Sequence, residues 1–86
     1  MKIGIVSRLD SVKAIELAGK IENFISDDET FIAPGLGEDL GKEETPIEKM
    51  DVDSLITVGG DGTVLYTLQR APNTPILGIN MGGMGF

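Results

Sequence analysis

The segment Gly59-Gly60-Asp61-Gly62-Thr63 leaves the apolar run Leu55-Ile56-Thr57-Val58 and sets one carboxylate among three glycines at a strand-to-helix junction. Such a junction suits phosphate chemistry. Glycine lets the backbone approach a ligand closely, and a helix beginning near Thr63 aims its free N–H groups and positive dipole end at the same place. A carboxylate there competes with phosphate for those N–H groups. Its useful roles are therefore to bind a hydroxyl that is about to be phosphorylated, or to hold Mg²⁺ beside the phosphates. The plainer reading is that Asp61 caps the helix and the glycines turn the chain. A cap needs one Asp or Thr and not three flanking glycines, which favours the ligand-binding role.

A second glycine-rich loop, Asn80-Met81-Gly82-Gly83-Met84-Gly85-Phe86, follows the apolar run Ile76 to Ile79. In an open parallel α/β sheet, ligands bind outside the carboxyl ends of the strands, and both glycine loops leave from that edge. Together they form the two lips of one crevice, and the chain reads as stopping inside its site. Around it, Thr63 opens the helix and has a hydroxyl to offer a phosphate, while Asn80 reads equally as a turn residue or a ligand contact. Met81 and Met84 read as adaptable apolar packing. Arg8 reads as a surface residue, with a position in the crevice as the alternative.

The elements that must position these residues alternate between two periods. Residues 2 to 7 are a short β-branched run with Ile3, Ile5 and Val6, as in a buried parallel strand. From Asp10 the apolar residues Ala14, Ile15, Ala18, Ile21 and Ile25 recur at steps of three and four, which predicts an amphipathic helix capped by Asp10 or Ser11. Residues 29 to 33 give a second strand, stopped by Pro34 and Gly35. Residues 34 to 53, with Gly35, Gly37, Gly41 and Pro46 among most of the acids, read as a mobile loop with a helical turn around Ile47 to Met50. The Gly35, Gly37, Gly41 spacing misses that of a dinucleotide fingerprint and has no apolar helix after it. Residues 54 to 58 are the third strand. A helix carrying Val64, Leu65 and Leu68 runs to about Arg70, Pro72 and Pro75 close it, and residues 76 to 79 are the fourth strand. Phe24 and Phe31 read as core. Strand, helix, strand succession implies a Rossmann-like α/β fold, a parallel sheet with helices on both faces, in one domain spanning residues 1 to 86.

Composition narrows the chemistry further. With 86 residues and 41% hydrophobic content, the chain has material for one small core. Its 14 acids against 7 bases give a net charge of −7, and the bases are scattered, so no patch suits nucleic acid or an anionic membrane. The acids gather between Glu38 and Asp53, as on a solvated loop face. Absence of Cys and His leaves acid–base work to carboxylates, Lys or Tyr66, and no residue is assigned to a metal. The short apolar start and the lack of a membrane-length run read as a cytoplasmic chain.

Taken together, Gly59-Gly60-Asp61-Gly62-Thr63 and Gly78-Ile79-Asn80-Met81-Gly82-Gly83-Met84-Gly85-Phe86 resemble the N-terminal domain of NAD kinases over the whole chain. The first motif is shared with diacylglycerol and sphingosine kinases and, in variant form, with phosphofructokinases; the second is similar to that of NAD kinases. The resemblance implies ATP-dependent, Mg²⁺-assisted phosphorylation of the adenosine ribose 2′-hydroxyl of NAD to give NADP. It implies Asp61 as the catalytic group that contacts that hydroxyl as its general base. It further implies a nucleotide contact at the neighbouring Gly62 and a hydrophobic one at Phe86; Gly60, Thr63 and Asn80 join them as nucleotide-binding candidates from their places in the two loops. NAD and ATP are then the partners, in a dimer or tetramer whose sites borrow residues from a neighbouring subunit. Two departures stand out. Tyr66, with Arg70 one turn later, occupies the place where the family often has a basic residue. The family's downstream Asn-Glu motif and β-rich C-terminal domain are absent, so the 86 residues alone are expected to be inactive. The competing readings are a lipid or sugar kinase of the same superfamily, and a non-catalytic flavodoxin-like or receiver-like regulatory domain. The last lacks the acidic pair a receiver needs after its first strand, where this chain has Val6-Ser7-Arg8.

Overall fold

A computed structural model describes residues 1–25 and 27–81. Four parallel strands, β1 (Lys2–Ser7), β2 (Glu29–Ile32), β3 (Ser54–Gly59) and β4 (Ile76–Asn80), form one sheet in the order β2-β1-β3-β4. The β-branched run of β1 is buried from Ile3 to Ser7 because it lies between two strands and under cover on both faces. One face carries Ile5, Ile32 and Val58, against which helix α1 (Val12–Phe24) packs Ala14 and Ala18. The opposite face carries Val6, Leu55 and Ile76 under a 3-10 turn (Ile47–Lys49) and helix α3 (Asp61–Arg70). The expected α/β architecture, a parallel sheet with helices on both faces, is what the chain adopts.

Of the two expected caps for α1, Ser11 is the one used: its hydroxyl accepts the Ala14 N–H at 3.2 Å. Asp10 pairs with Arg8 instead. The segment between β2 and β3 is more built than a loop. It contains a short helix, α2 (Gly37–Leu40), with Leu36 and Gly37 buried, and the 3-10 turn falls where a helical turn was expected. One Glu44 carboxylate oxygen accepts the N–H groups of both Gly35 and Gly37 at 3.0 Å, so this exposed acid also ties the loop together.

The expectation that Phe24 and Phe31 are core needs correction. Phe24 is 89% exposed, because it lies off the Ala14, Ala18, Ile21, Ile25 stripe that meets the sheet; Phe31 is only half-buried. In α3, of the apolar residues Val64, Leu65 and Leu68 only Val64 faces inward, together with Thr67, while Leu65 and Leu68 are exposed. Thr67 tolerates full burial because its hydroxyl donates to the Thr63 carbonyl at 2.8 Å.

Candidate active site

The sheet order fixes where a crevice must open. The chain runs from β1 outward to β2 and then returns across β1 to β3, so the direction of winding reverses between β1 and β3. Connections leaving the carboxyl ends of those two strands diverge to opposite sides, and the gap between them is the usual ligand seat of an open α/β sheet. Arg8 follows β1 and Gly60-Asp61 follow β3, which ends at Gly59, so both borders of that gap carry residues singled out by the sequence.

At the β3 exit, Gly60 takes an extended conformation (φ −134°, ψ −162°), and its carbonyl accepts the N–H groups of Thr63 at 3.1 Å and Val64 at 3.2 Å. This starts α3 at Asp61, two residues earlier than the sequence suggests. Asp61, Gly62 and Thr63 therefore form the first helical turn, whose leading N–H groups have no preceding helical carbonyl to meet. The Asp61 side chain is exposed, with its charge at the positive end of the helix. Gly59 is the point of tightest approach. A β-carbon there would lie 3.1 Å from the Thr63 Cβ, 3.2 Å from the Arg8 Cβ, and in collision with the Thr63 hydroxyl. The missing side chain is what lets α3 start directly beside the end of β1.

Between the two borders lies a cavity of about 430 Å³, a volume within the range of small-molecule sites. Ser7, Arg8, Asp10, Gly62, Thr63 and Tyr66 line it together with Val6, Leu9, Ala33 and Pro34. Arg8 and Asp10 form a two-pronged ion pair, Nε to Oδ1 at 2.7 Å and Nη2 to Oδ2 at 3.1 Å. Hydrogen bonding to Asp10, and then its charge, raises the Arg8 pKa; the same bonds and charge from Arg8 lower that of Asp10. The Tyr66 ring is held from outside by Arg70, whose guanidinium stacks 3.6 Å from the ring centroid and whose Nη1 donates to the Tyr66 carbonyl.

The candidate residues of the two motifs are thus only partly gathered in one place. Gly62 and Thr63 line the cavity; Asp61 heads the same turn, but it and Gly60 are not among the lining residues. Asn80 stands in register with Gly59 across β3 and β4, and the Met81 N–H donates to the Gly59 carbonyl, so the second loop departs beside the first. Phe86, with Gly82 to Gly85, lies outside the described residues. Sequence reasoning did not give Arg8, Asp10 and Tyr66 a shared role. The usable signal was the position of Arg8 immediately after a first strand that ends at a reversal of winding. Among the described residues no group of three or more His, Cys, Asp or Glu is placed to hold a metal ion. One carboxylate at a helix start still fits Mg²⁺ that arrives coordinated by substrate phosphates, the common mode for that ion.

A family model for the ATP-NAD kinase N-terminal domain matches residues 3–86. The chain belongs to this family. Its curated relatives include proteins named NAD kinase from Methanosarcina barkeri, 44% identical over 99% of this chain and 33% of the relative, and from Methanosarcina mazei, 42% identical over 99% and 31%. The NAD kinase of Thermococcus kodakarensis is 38% identical over the whole chain and 34% of its own length. The chain therefore spans about a third of the length of these NAD kinases. Among the described residues no helix is long and apolar enough to cross a membrane.

Proposed function

We propose that this chain is the N-terminal α/β part of an enzyme that transfers the terminal phosphoryl group of ATP to the 2′-hydroxyl of the adenosine ribose of NAD, giving NADP. The observation that carries the reading is the family match over residues 3–86, which includes Asp61 at the start of α3 beside the β1/β3 crevice. A ribose hydroxyl is a poor nucleophile at neutral pH. Asp61 accepts its proton as the oxygen–phosphorus bond forms, and the first-turn N–H groups of α3, with Gly60, Gly62 and Thr63, orient the phosphates. Mg²⁺, when bound, neutralises charge on the transferring phosphoryl group. Asn80, beside Gly59, and Phe86 complete the nucleotide contacts from the second loop. The remainder of the acceptor site comes from residues beyond these 86 and from a neighbouring subunit in a homo-oligomer, so the segment alone is inactive. The activity is cytoplasmic, where NAD and ATP are at hand.

The test is product identification. The longest native protein containing this segment, incubated with NAD, ATP and Mg²⁺, is expected to yield a 2′-phosphomonoester signal in the ³¹P spectrum together with NADP-dependent dehydrogenase activity. Phosphorylation of a diacylglycerol or a sugar under the same conditions, with no NADP, would replace this reading with that of a lipid or sugar kinase.

A further inference from the structure

The proposed reaction leaves unexplained the cavity beside the first turn of α3 and the ion pair in its lining. The Asp61 side chain is not among the cavity's lining, whereas Gly62 and Thr63, the next residues of the same turn, are. The cavity therefore borders the turn that Asp61 heads, and a donor seated in it would lie next to a hydroxyl that meets Asp61, as phosphoryl transfer between them requires. Its lining divides in the way an adenine nucleotide does, with Leu9, Ala33 and the Tyr66 ring offering apolar surface and Arg8 offering a planar cation.

We infer that Arg8 clamps the triphosphate of the phosphoryl donor in this cavity and that Asp10 occupies the guanidinium until the donor arrives. The inference rests on the reading under Proposed function for the identity of the acceptor, but not for the presence of a triphosphate site. Three observations support it. Arg8 and Asp10 both line the cavity, at the β1 end of the winding reversal. The pair uses the fork geometry that a phosphate would also use, Nε and Nη2 each meeting one carboxylate oxygen at 2.7 and 3.1 Å. The pair is also exposed, with 40% of the Arg8 side chain and 74% of the Asp10 side chain accessible, so exchanging Asp10 for a more highly charged anion meets little resistance. Gly59 keeps Arg8 in range by letting its Cβ lie against the start of α3.

The experiment measures binding of MgATP, inorganic tripolyphosphate and NAD by calorimetry to the longest native protein carrying this segment, for the unaltered sequence and for Arg8→Gln, Arg8→Lys and Asp10→Asn. Far-ultraviolet circular dichroism checks that each variant is folded. Arg8→Gln is expected to weaken MgATP and tripolyphosphate about tenfold or more, as for loss of a charge-assisted bond, while NAD changes less than about twofold. Arg8→Lys retains part of the affinity, and Asp10→Asn tightens both triphosphates by about two- to fivefold, the worth of an exposed pair. Unchanged triphosphate binding in Arg8→Gln, or a loss confined to NAD, overturns the inference, as does absence of triphosphate binding by the unaltered protein. Arg8-dependent MgATP binding without NADP formation would sustain the inference and remove the acceptor reading; NADP formation with unchanged triphosphate binding in Arg8→Gln would do the reverse.

Discussion

Two glycines on either side of Asp61 are expected to respond to the same substitution in opposite directions. At Gly59, an added β-carbon stands 3.1 Å from the Thr63 Cβ and 3.2 Å from the Arg8 Cβ, and it collides with the Thr63 hydroxyl. None of these atoms is the far end of a flexible chain. Relief requires α3 to move away from β1, so Gly59→Ala carries the usual penalty for overpacking a fitted site, about 1 to 3 kcal/mol. At Gly62 an added β-carbon meets nothing within 4 Å, and the residue lies in the first turn of α3. Gly62→Ala therefore removes only backbone freedom from the unfolded chain and stabilises by about 0.5 to 1 kcal/mol. That same methyl group projects where the backbone borders the cavity, and displacement of a reacting group by about 1 Å can cost a hundredfold in rate. Urea unfolding monitored by circular dichroism gives both stability changes, and an NADP assay on the longer protein gives the activity. Gly59→Ala should unfold at lower urea and Gly62→Ala at higher urea, with activity depressed in the second despite its added stability. A destabilised Gly62→Ala, or one with full activity, would refute the argument that Gly62 is kept bare for a ligand rather than for the fold.

Three further outcomes follow from the packing and the charges. The Thr57 hydroxyl is buried without a hydrogen-bond partner among the described residues, so Thr57→Val should raise stability by about 1 to 3 kcal/mol in urea unfolding, and a loss of stability would show that the hydroxyl is satisfied. Ser11→Ala removes the cap on the Ala14 N–H and should cost about 0.5 to 2 kcal/mol by the same measurement. The Asp10 carboxyl, followed by ¹³C NMR against pH, should titrate below the ordinary Asp range and move back up in Arg8→Gln. Because Arg8 favours the charged form only in the folded chain, this pair adds stability above the carboxyl's unfolded pKa and loses it as pH falls through the lowered folded value.

The strands were legible because a buried parallel strand leaves a compact mark. Ile3, Ile5 and Val6 in β1, and Leu55 to Val58 in β3, are β-branched or aliphatic runs bounded by turn residues, and Pro72 and Pro75 delimit α3 from β4. Helix α2 was not legible, since four residues have no period to read and their setting depends on a Glu44 carboxylate seven and nine residues away from the amides it binds. The inward face of α3 was not legible, because its apolar residues Val64, Leu65 and Leu68 do not all face the sheet. The helix instead presents Val64 to Gly78 of β4, the last strand of the sheet, and nothing among the described residues covers the two leucines. At the candidate site, the glycine motif marked the strand-to-helix junction where Asp61, Gly62 and Thr63 form the first turn of α3. The Arg8 and Asp10 pair is itself local, two residues apart just after the first strand; what no local spacing encodes is that this strand end borders the reversal of winding between β1 and β3, which is a property of the folded sheet.

The central claim is that Asp61 takes the proton from the acceptor hydroxyl, and kcat and KM for NAD in Asp61→Asn test it most directly. Asn preserves shape and hydrogen bonding at the start of α3 but is no base. The account predicts kcat lowered by about 10² to 10⁴-fold, with KM for NAD within a few-fold of the unaltered protein and unfolding little changed. A variant that forms NADP at the original rate would contradict it and remove Asp61 from the chemistry.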